Sequence, residues 1–412
     1  MEKKFNLNAF KFAIGGFLCI LLKHLMLMPN LSKYTFVNNN KAIYFIANFQ
    51  DLGFIPRALF GSFIRIFTDF VSIKSMKIFY LVLYLILFIV YFIIQYKLMK
   101  KNPNSIFPKC LLGFVVIFPF SLLYSNIGWG SFDLVFFLVT FLCGHIVIYS
   151  DIKTSTILVS LLSILLIVQH TLTLFAVIPY IFLMFAYRLV NENITNKKMY
   201  TILISYMAIV SIAFIICQFF PGFKITNATD MNNYLNSRTD YEFDKITTDV
   251  MYYYPLIKHM KFDWFTIERV NAWWLIIITH IYKIPIFIFF IKLWVMMYKN
   301  SIDNKNKLFY IFCIISLFTF IPCIILASDH KRFVDFSIIG QLMILTSIYL
   351  SNFDNNIKQI EEYFVNVYNK YKTFIIFYSA ISITLINVNE WYNGTLGTIF
   401  TNIANIFNMI MN

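Results

Sequence analysis

Apolar runs about as long as a bilayer is thick recur along the chain, separated by polar breaks, and they set its architecture. A hydrocarbon core of about 30 Å needs about 20 apolar residues per helix. Windows of that kind fall at residues 10–28, 77–96, 108–125, 131–150, 155–187, 200–219, 271–297, 308–327, 337–352 and 372–389. The window 155–187 is too long for one helix and is interrupted at Gln169-His170-Thr171. That interruption reads as a tight reversal or re-entrant tip, where polar backbone survives only if protein or a water-filled cavity shields it. Counting this window twice, the pattern predicts an all-α polytopic transmembrane helical bundle of about ten or eleven spans. The whole chain, 1–412, reads as a single integral membrane domain.

Two segments depart from the pattern. Residues 29–75 are half polar; Gly53 and Pro56 mark a turn, and Ala58 to Phe67 reads as a short amphipathic helix lying at the membrane interface. Residues 220–270 form a loop well beyond the roughly 12–15 residues expected of a structureless connection, which predicts a functional, partly folded segment.

Composition agrees with a membrane protein: 59% of residues are hydrophobic and 13% charged, against roughly 45–50% apolar in soluble domains. The net charge of +14 is spread in short clusters between apolar runs. That argues against a nucleic-acid partner and for orientation in a membrane. Lys3, Lys4, Lys11, Lys97, Lys100, Lys101, Lys109, Lys153, Arg188, Lys197, Lys198, Lys299, Lys305, Lys307, Lys358, Lys370 and Lys372 fall on one side of the predicted spans. The positive-inside rule makes that side, and the N-terminus, cytoplasmic. Segments 29–75, 220–270 and 327–336 and the C-terminal tail then lie outside; they are not free of positive charge, and their scattered Arg57, Arg65, Arg238, Lys258, Lys261, Arg269, Lys331 and Arg332 suit an anionic ligand. No small-x-small cleavage site follows the first apolar run, so the first span reads as a retained anchor. The six cysteines have no disulfide or metal-ligand spacing. Walker, dinucleotide and His-Glu metal motifs are absent, as is any internal repeat.

Charged groups in or beside a membrane are costly unless used, which singles out a few positions. Asp51 and Arg57, six apart in Gln50-Asp51-Leu52-Gly53-Phe54-Ile55-Pro56-Arg57, offer a carboxylate to accept a proton and a guanidinium to grip a phosphate. A helix cap and a headgroup contact are the plainer roles for the two. Asp133 follows a Gly- and Trp-containing turn, where capping explains it equally well. His170 stands at the break in the long window, where a structural histidine is the commoner outcome. Asp329, His330, Lys331, Arg332 and Asp335 crowd a short connection; Asp329 and Arg332, three apart, are able to share one face of a turn. The tyrosines and charges of 238–259 suit sugar contact, but a solvated loop surface is the stronger explanation.

The run Gln50 to Gly61 resembles an N-terminal signature of poorly characterised polytopic proteins of bacterial surface-polysaccharide synthesis. Gly130-Ser131-Phe132-Asp133, Gln169-His170-Thr171 and Asp329-His330-Lys331-Arg332-Phe333 are similar to later pieces in the same order. The resemblance implies a membrane glycosyltransferase or an O-antigen or capsule polymerase in the bacterial cytoplasmic membrane. Its substrate would be a polyprenyl-phosphate-linked sugar, and other polysaccharide-assembly proteins would be its partners. On that reading Asp51 and Asp329 are catalytic, and Arg57, Arg332, His330, Asp133 and His170 bind substrate and phosphate. No cofactor is implied; a divalent metal is compatible but unindicated, since no second carboxylate adjoins Asp51. The alternative is a flippase or transporter of lipid-linked oligosaccharide, which would carry its charges inside the bundle.

Overall fold

The computed structural model describes residues 6–27, 39–55, 57–117, 132–220, 222–225, 227–243, 283–326, 330–351 and 356–389, with the isolated positions 281 and 406. Within them the chain is an all-α polytopic bundle. Five helices are long and apolar enough to cross a membrane, at Ile73–Lys101, Ile152–Gln169, Asn196–Phe219, Asn304–Cys323 and Phe333–Leu350.

In chain order the elements are α1 (Leu7–Leu27), α2 (Asn39–Ile46), α3 (Phe49–Leu52), β1 (Gly53–Phe54), α4 (Leu59–Arg65), α5 (Ile73–Lys101), α6 (Phe107–Ile117), α7 (Asp133–Tyr149), α8 (Ile152–Gln169), α9 (Thr173–Ala176), α10 (Ile178–Asn191) and α11 (Asn196–Phe219). After them come β2 (Gly222–Phe223), α12 (Ala228–Ser237), α13 (Ile284–Asn300), α14 (Asn304–Ser316), α15 (Phe320–Leu326), α16 (His330–Leu350) and α17 (Ile357–Asn389). Every apolar window of the sequence overlaps one or more of these helices. Hydroxyl and carboxyl caps start several of them: Ser72 accepts from Ser75 N, Asp151 from Thr154 N and Thr195 from Lys198 N, satisfying donors that a helix start leaves open. The long window divides as expected at Gln169-His170-Thr171, with α9 as a single turn before Pro179 enters α10. In α17 the helix breaks at Tyr371, where φ is −120° and ψ 22°, close to the boundary between its polar first half and apolar second half.

One helix is the hub. Over its apolar stretch α16 is 89% buried, whereas the other four long spans are 33–39% buried and turn their remaining faces outward. A helix enclosed on all sides must satisfy its polar side chains internally. Gln341 does so by accepting from Trp294 Nε1 at 2.7 Å and donating to Ser316 Oγ at 2.8 Å and Cys313 O at 3.3 Å. At Gly340 a Cβ would stand 2.3 Å from the Tyr180 ring, so the glycine lets α10 lie directly against α16.

The bundle has two chemically distinct ends. At one, Lys101 donates to Ser351 O, Ser105 and the Ile106 N–H to Glu361, and Arg188 to Val147 O and Ser150 O. These contacts gather the α5–α6, α7–α8, α10–α11 and α16–α17 connections, the lysine-rich set of the sequence. The other end is a cap made by two segments far apart in the chain. β1 pairs antiparallel with β2, Gly53 opposite Phe223, and Lys224 N donates to Leu52 O at 3.0 Å. Val71 N donates to Arg238 O at 2.9 Å, and Ile73 N to Asp240 Oδ1 at 2.7 Å. The short amphipathic helix is α4: Gly61 and Ser62 face inward, while Phe63, Ile66 and Phe67 are exposed beside the bundle. Its inner face touches α2 so closely that a Cβ on Gly61 would stand 2.0 Å from Ala47 O.

Candidate functional site

The cap centres on Asp51. Asn48 begins α3 as its cap, accepting from Asp51 N at 2.8 Å, and this turn presents the carboxylate. Three donors converge on Asp51 Oδ2: Tyr234 OH at 2.5 Å, Arg65 Nε at 3.1 Å and Asn48 Nδ2 at 3.3 Å. Among the described residues none reaches Oδ1. Asn48 also donates to Tyr234 OH at 2.7 Å, which commits the phenol's own proton to Asp51. Arg65 bridges onward to Asp69, which meets Arg238 at 3.3 Å. Burial pushes the Asp51 carboxyl up, but the hydrogen bonds from Tyr234, Arg65 and Asn48 outweigh it and hold the group below its ordinary value. Burial, reinforced by the Asp51 carboxylate, pushes the Tyr234 phenol up to about 12.

Since the folded pKa of Asp51 lies below the ordinary value of about 3.9, its contribution to cap stability is complete above that value and lost as pH falls through the folded one. The protection of amides 222–240, their exchange rates divided into the intrinsic rate at each pH, is therefore expected to be flat from about pH 8 to 5 and to fall below about 4. Asp51→Asn removes that acid dependence.

Arg57 sits in a different cluster from Asp51. Its φ of 68° is left-handed, a strained setting for a residue with a Cβ. The strain is held by Gln169, whose Nε2 donates to Arg57 O at 3.1 Å while its Oε1 accepts from Phe60 N at 2.8 Å. The guanidinium stands 5.8 Å over the Tyr44 ring. Tyr44 stacks on Phe132 at 4.4 Å and faces His170 at 6.5 Å. His170 Nδ1 accepts from Leu172 N at 3.3 Å, which fixes the ring, and Phe136 closes its other side. Asp133 is buried as the first residue of α7, next to Phe132, with its carboxyl group at the N-terminal end of that helix. Arg57 and His170 thus gather around Tyr44, and Asp133 follows its stacking partner Phe132 in the chain.

Asp329 lies outside the described residues, as do the side chains of His330 and Arg332, so the sequence-based pairing of Asp51 with Asp329 and Arg332 has no geometry. The described part of the same run has one: Asp335 of α16 is ion-paired with Lys283, which precedes α13, and the two side chains are 0% and 1% exposed. Among the described residues no group of three or more His, Cys, Asp or Glu side chains could hold a metal ion.

No family model, curated protein or solved structure matches the chain.

The chemistry on offer is a carboxylate held ionised by three donors and, a few residues along, a guanidinium anchored over an aromatic ring, both at the cap end of the bundle. Sequence reasoning missed Asn48, Tyr44 and Tyr234, and counted Arg65 only among scattered basic residues. Asn48 left a readable signal, a capping residue three before Asp51. Tyr234 left none, being 183 residues away in the chain.

Proposed function

We propose that the protein transfers a sugar or oligosaccharide from a polyprenyl-phosphate-linked donor to an acceptor hydroxyl at the outer face of a bacterial cytoplasmic membrane. One observation carries this reading: a half-buried carboxylate kept ionised by Tyr234, Arg65 and Asn48, at the cap end of the bundle and close in sequence to an anchored arginine. The lysine-rich opposite end faces the cytoplasm under the positive-inside rule, so the cap faces out. The acceptor hydroxyl donates to the open Oδ1 of Asp51 and attacks the anomeric carbon. Its bond to that carbon forms as the carbon–oxygen bond to phosphate breaks, and its proton passes to Asp51. A carboxyl held below its ordinary pKa is a weak base, so its main work is to orient the hydroxyl and take the proton late. The polyprenyl phosphate or diphosphate leaves with its charge met by Arg57, and by Arg332 on the sequence expectation.

A second reading has its own support. The ion pair of Lys283 and Asp335, enclosed within the bundle, is the kind of charge a translocation path uses, which favours a flippase of lipid-linked oligosaccharide.

The test is the full chain in liposomes with labelled polyprenyl-phosphate and polyprenyl-diphosphate sugars, following both transfer to acceptor and movement of donor between leaflets. Transfer is expected in the native chain and to fall at least about 100-fold in Asp51→Asn. Transfer unaffected by that change sinks the role of Asp51. Donor movement without transfer replaces the enzyme reading with the flippase.

A further inference from the structure

Away from the cap, a groove of about 320 Å³ runs along α5, α7, α10 and α16 toward the lysine-rich end. Its walls are apolar, and Ile86, Ile93 and Leu142 on its rim are exposed, so it opens sideways where lipid chains would run. Gly144 sets its depth: a Cβ there would come 3.1 Å from Met184 Sδ and 3.6 Å from Ser347 Oγ. The polar groups collect at one end. Lys97 Nζ stands 4.3 Å over the Tyr149 ring, and the His145 ring lies 4.6 Å from the same ring. No carboxylate lines the groove, and among the described residues neither Lys97 nor His145 pairs with one.

A lysine and a histidine beside one tyrosine, at the mouth of an apolar groove and without an acid, are complementary to a phosphodiester attached to a hydrocarbon chain. We infer that this groove binds an anionic glycerophospholipid of the leaflet opposite the cap. Its phosphate contacts Lys97 and His145, the Tyr149 hydroxyl end borders the headgroup, and one acyl chain fills the channel over Gly144. Basic pockets between membrane helices select anionic headgroups in this way, with each Lys or Arg near the surface contributing about fivefold in affinity. The inference does not depend on the activity proposed for the cap, since the two sites share no residue.

The full chain in neutral detergent, titrated with phosphatidylglycerol or phosphatidylcholine of the same acyl chains and read by native mass spectrometry, tests it. Phosphatidylglycerol is expected to be retained in preference. Lys97→Gln should weaken it about fivefold, and Lys97→Arg should restore it. Ile93→Trp, which narrows the groove from its exposed rim, should weaken it with all charges in place. If Lys97→Gln fails to fold, Ile93→Trp decides. Equal retention of the two lipids, retention indifferent to both variants, or displacement by inorganic phosphate alone overturns the inference.

Discussion

Asp335→Asn, made with Lys283 left in place, is expected to destabilise the bundle by about 3–5 kcal/mol, enough to abolish a monodisperse, cooperatively melting protein in detergent. The size follows from where the ammonium is left. At 1% exposure the Lys283 side chain has no water to replace the carboxylate, and removing one member of a buried ion pair costs far more than the intact pair contributes. The double change Lys283→Met with Asp335→Leu removes both charges and keeps the volume, so it should recover most of the melting temperature. Recovery in the double variant, against collapse in each single one, is the signature of a mutual dependence. Three equally stable variants would show that the pair is not desolvated in the membrane. The double variant also separates the two functional readings, because a transferase working at the cap keeps its transfer rate without the pair, whereas a flippase using it stops.

The ion pair also marks where sequence reasoning stops. Asp335 was visible, but as part of a polar connection, and Lys283 was absorbed into the apolar window 271–297. A hydropathy window averages over its residues and does not say which face of a helix meets which neighbour. The hub role of α16 was hidden for the same reason, since Gln341, Ser337 and Thr346 lower its apparent hydrophobicity while Trp294 and Ser316 satisfy Gln341 from other helices. What depends on local pattern was legible: the apolar windows, the break at Gln169-His170-Thr171, and the amphipathic helix after Arg57. The cap was half legible. Asp51 drew notice because it is charged and sits by a turn, yet its ionic partner is Arg65 rather than Arg57, and its shortest hydrogen bond comes from Tyr234 on the other segment. Two-residue strands such as β1 and β2 carry no periodicity to detect. Only Gly53 betrayed them.

Gly53→Ala is accordingly expected to unzip the cap, and Gly222→Ala, directly across the same ladder, is not. Gly53 has φ 82° and ψ −173°, a region closed to residues with a Cβ, and an added Cβ would stand 1.9 Å from Gly222 O. The obstructing atom is backbone, so relief requires β2 to move away, and α12 with Tyr234 moves with it. Gly222 has space: the nearest atom to its added Cβ is Phe54 N, at 4.0 Å. The strain at Gly53 is about 1–3 kcal/mol before any lost hydrogen bond is counted. A loss of one or two kcal/mol alone raises the opened fraction of the cap about 5- to 30-fold. Limited proteolysis across 222–243 reads that fraction, and the melting of the helical bundle should hold, because the cap rests on the bundle rather than supporting its core. Because α12 carries Tyr234 away from Asp51, Gly53→Ala should also relax the carboxyl toward its ordinary pKa and move the acid-induced opening of the cap upward in pH. A variant that is cut faster with the acid response unmoved would mean that Arg65 and Asn48, both on the first segment, hold the carboxylate ionised without Tyr234.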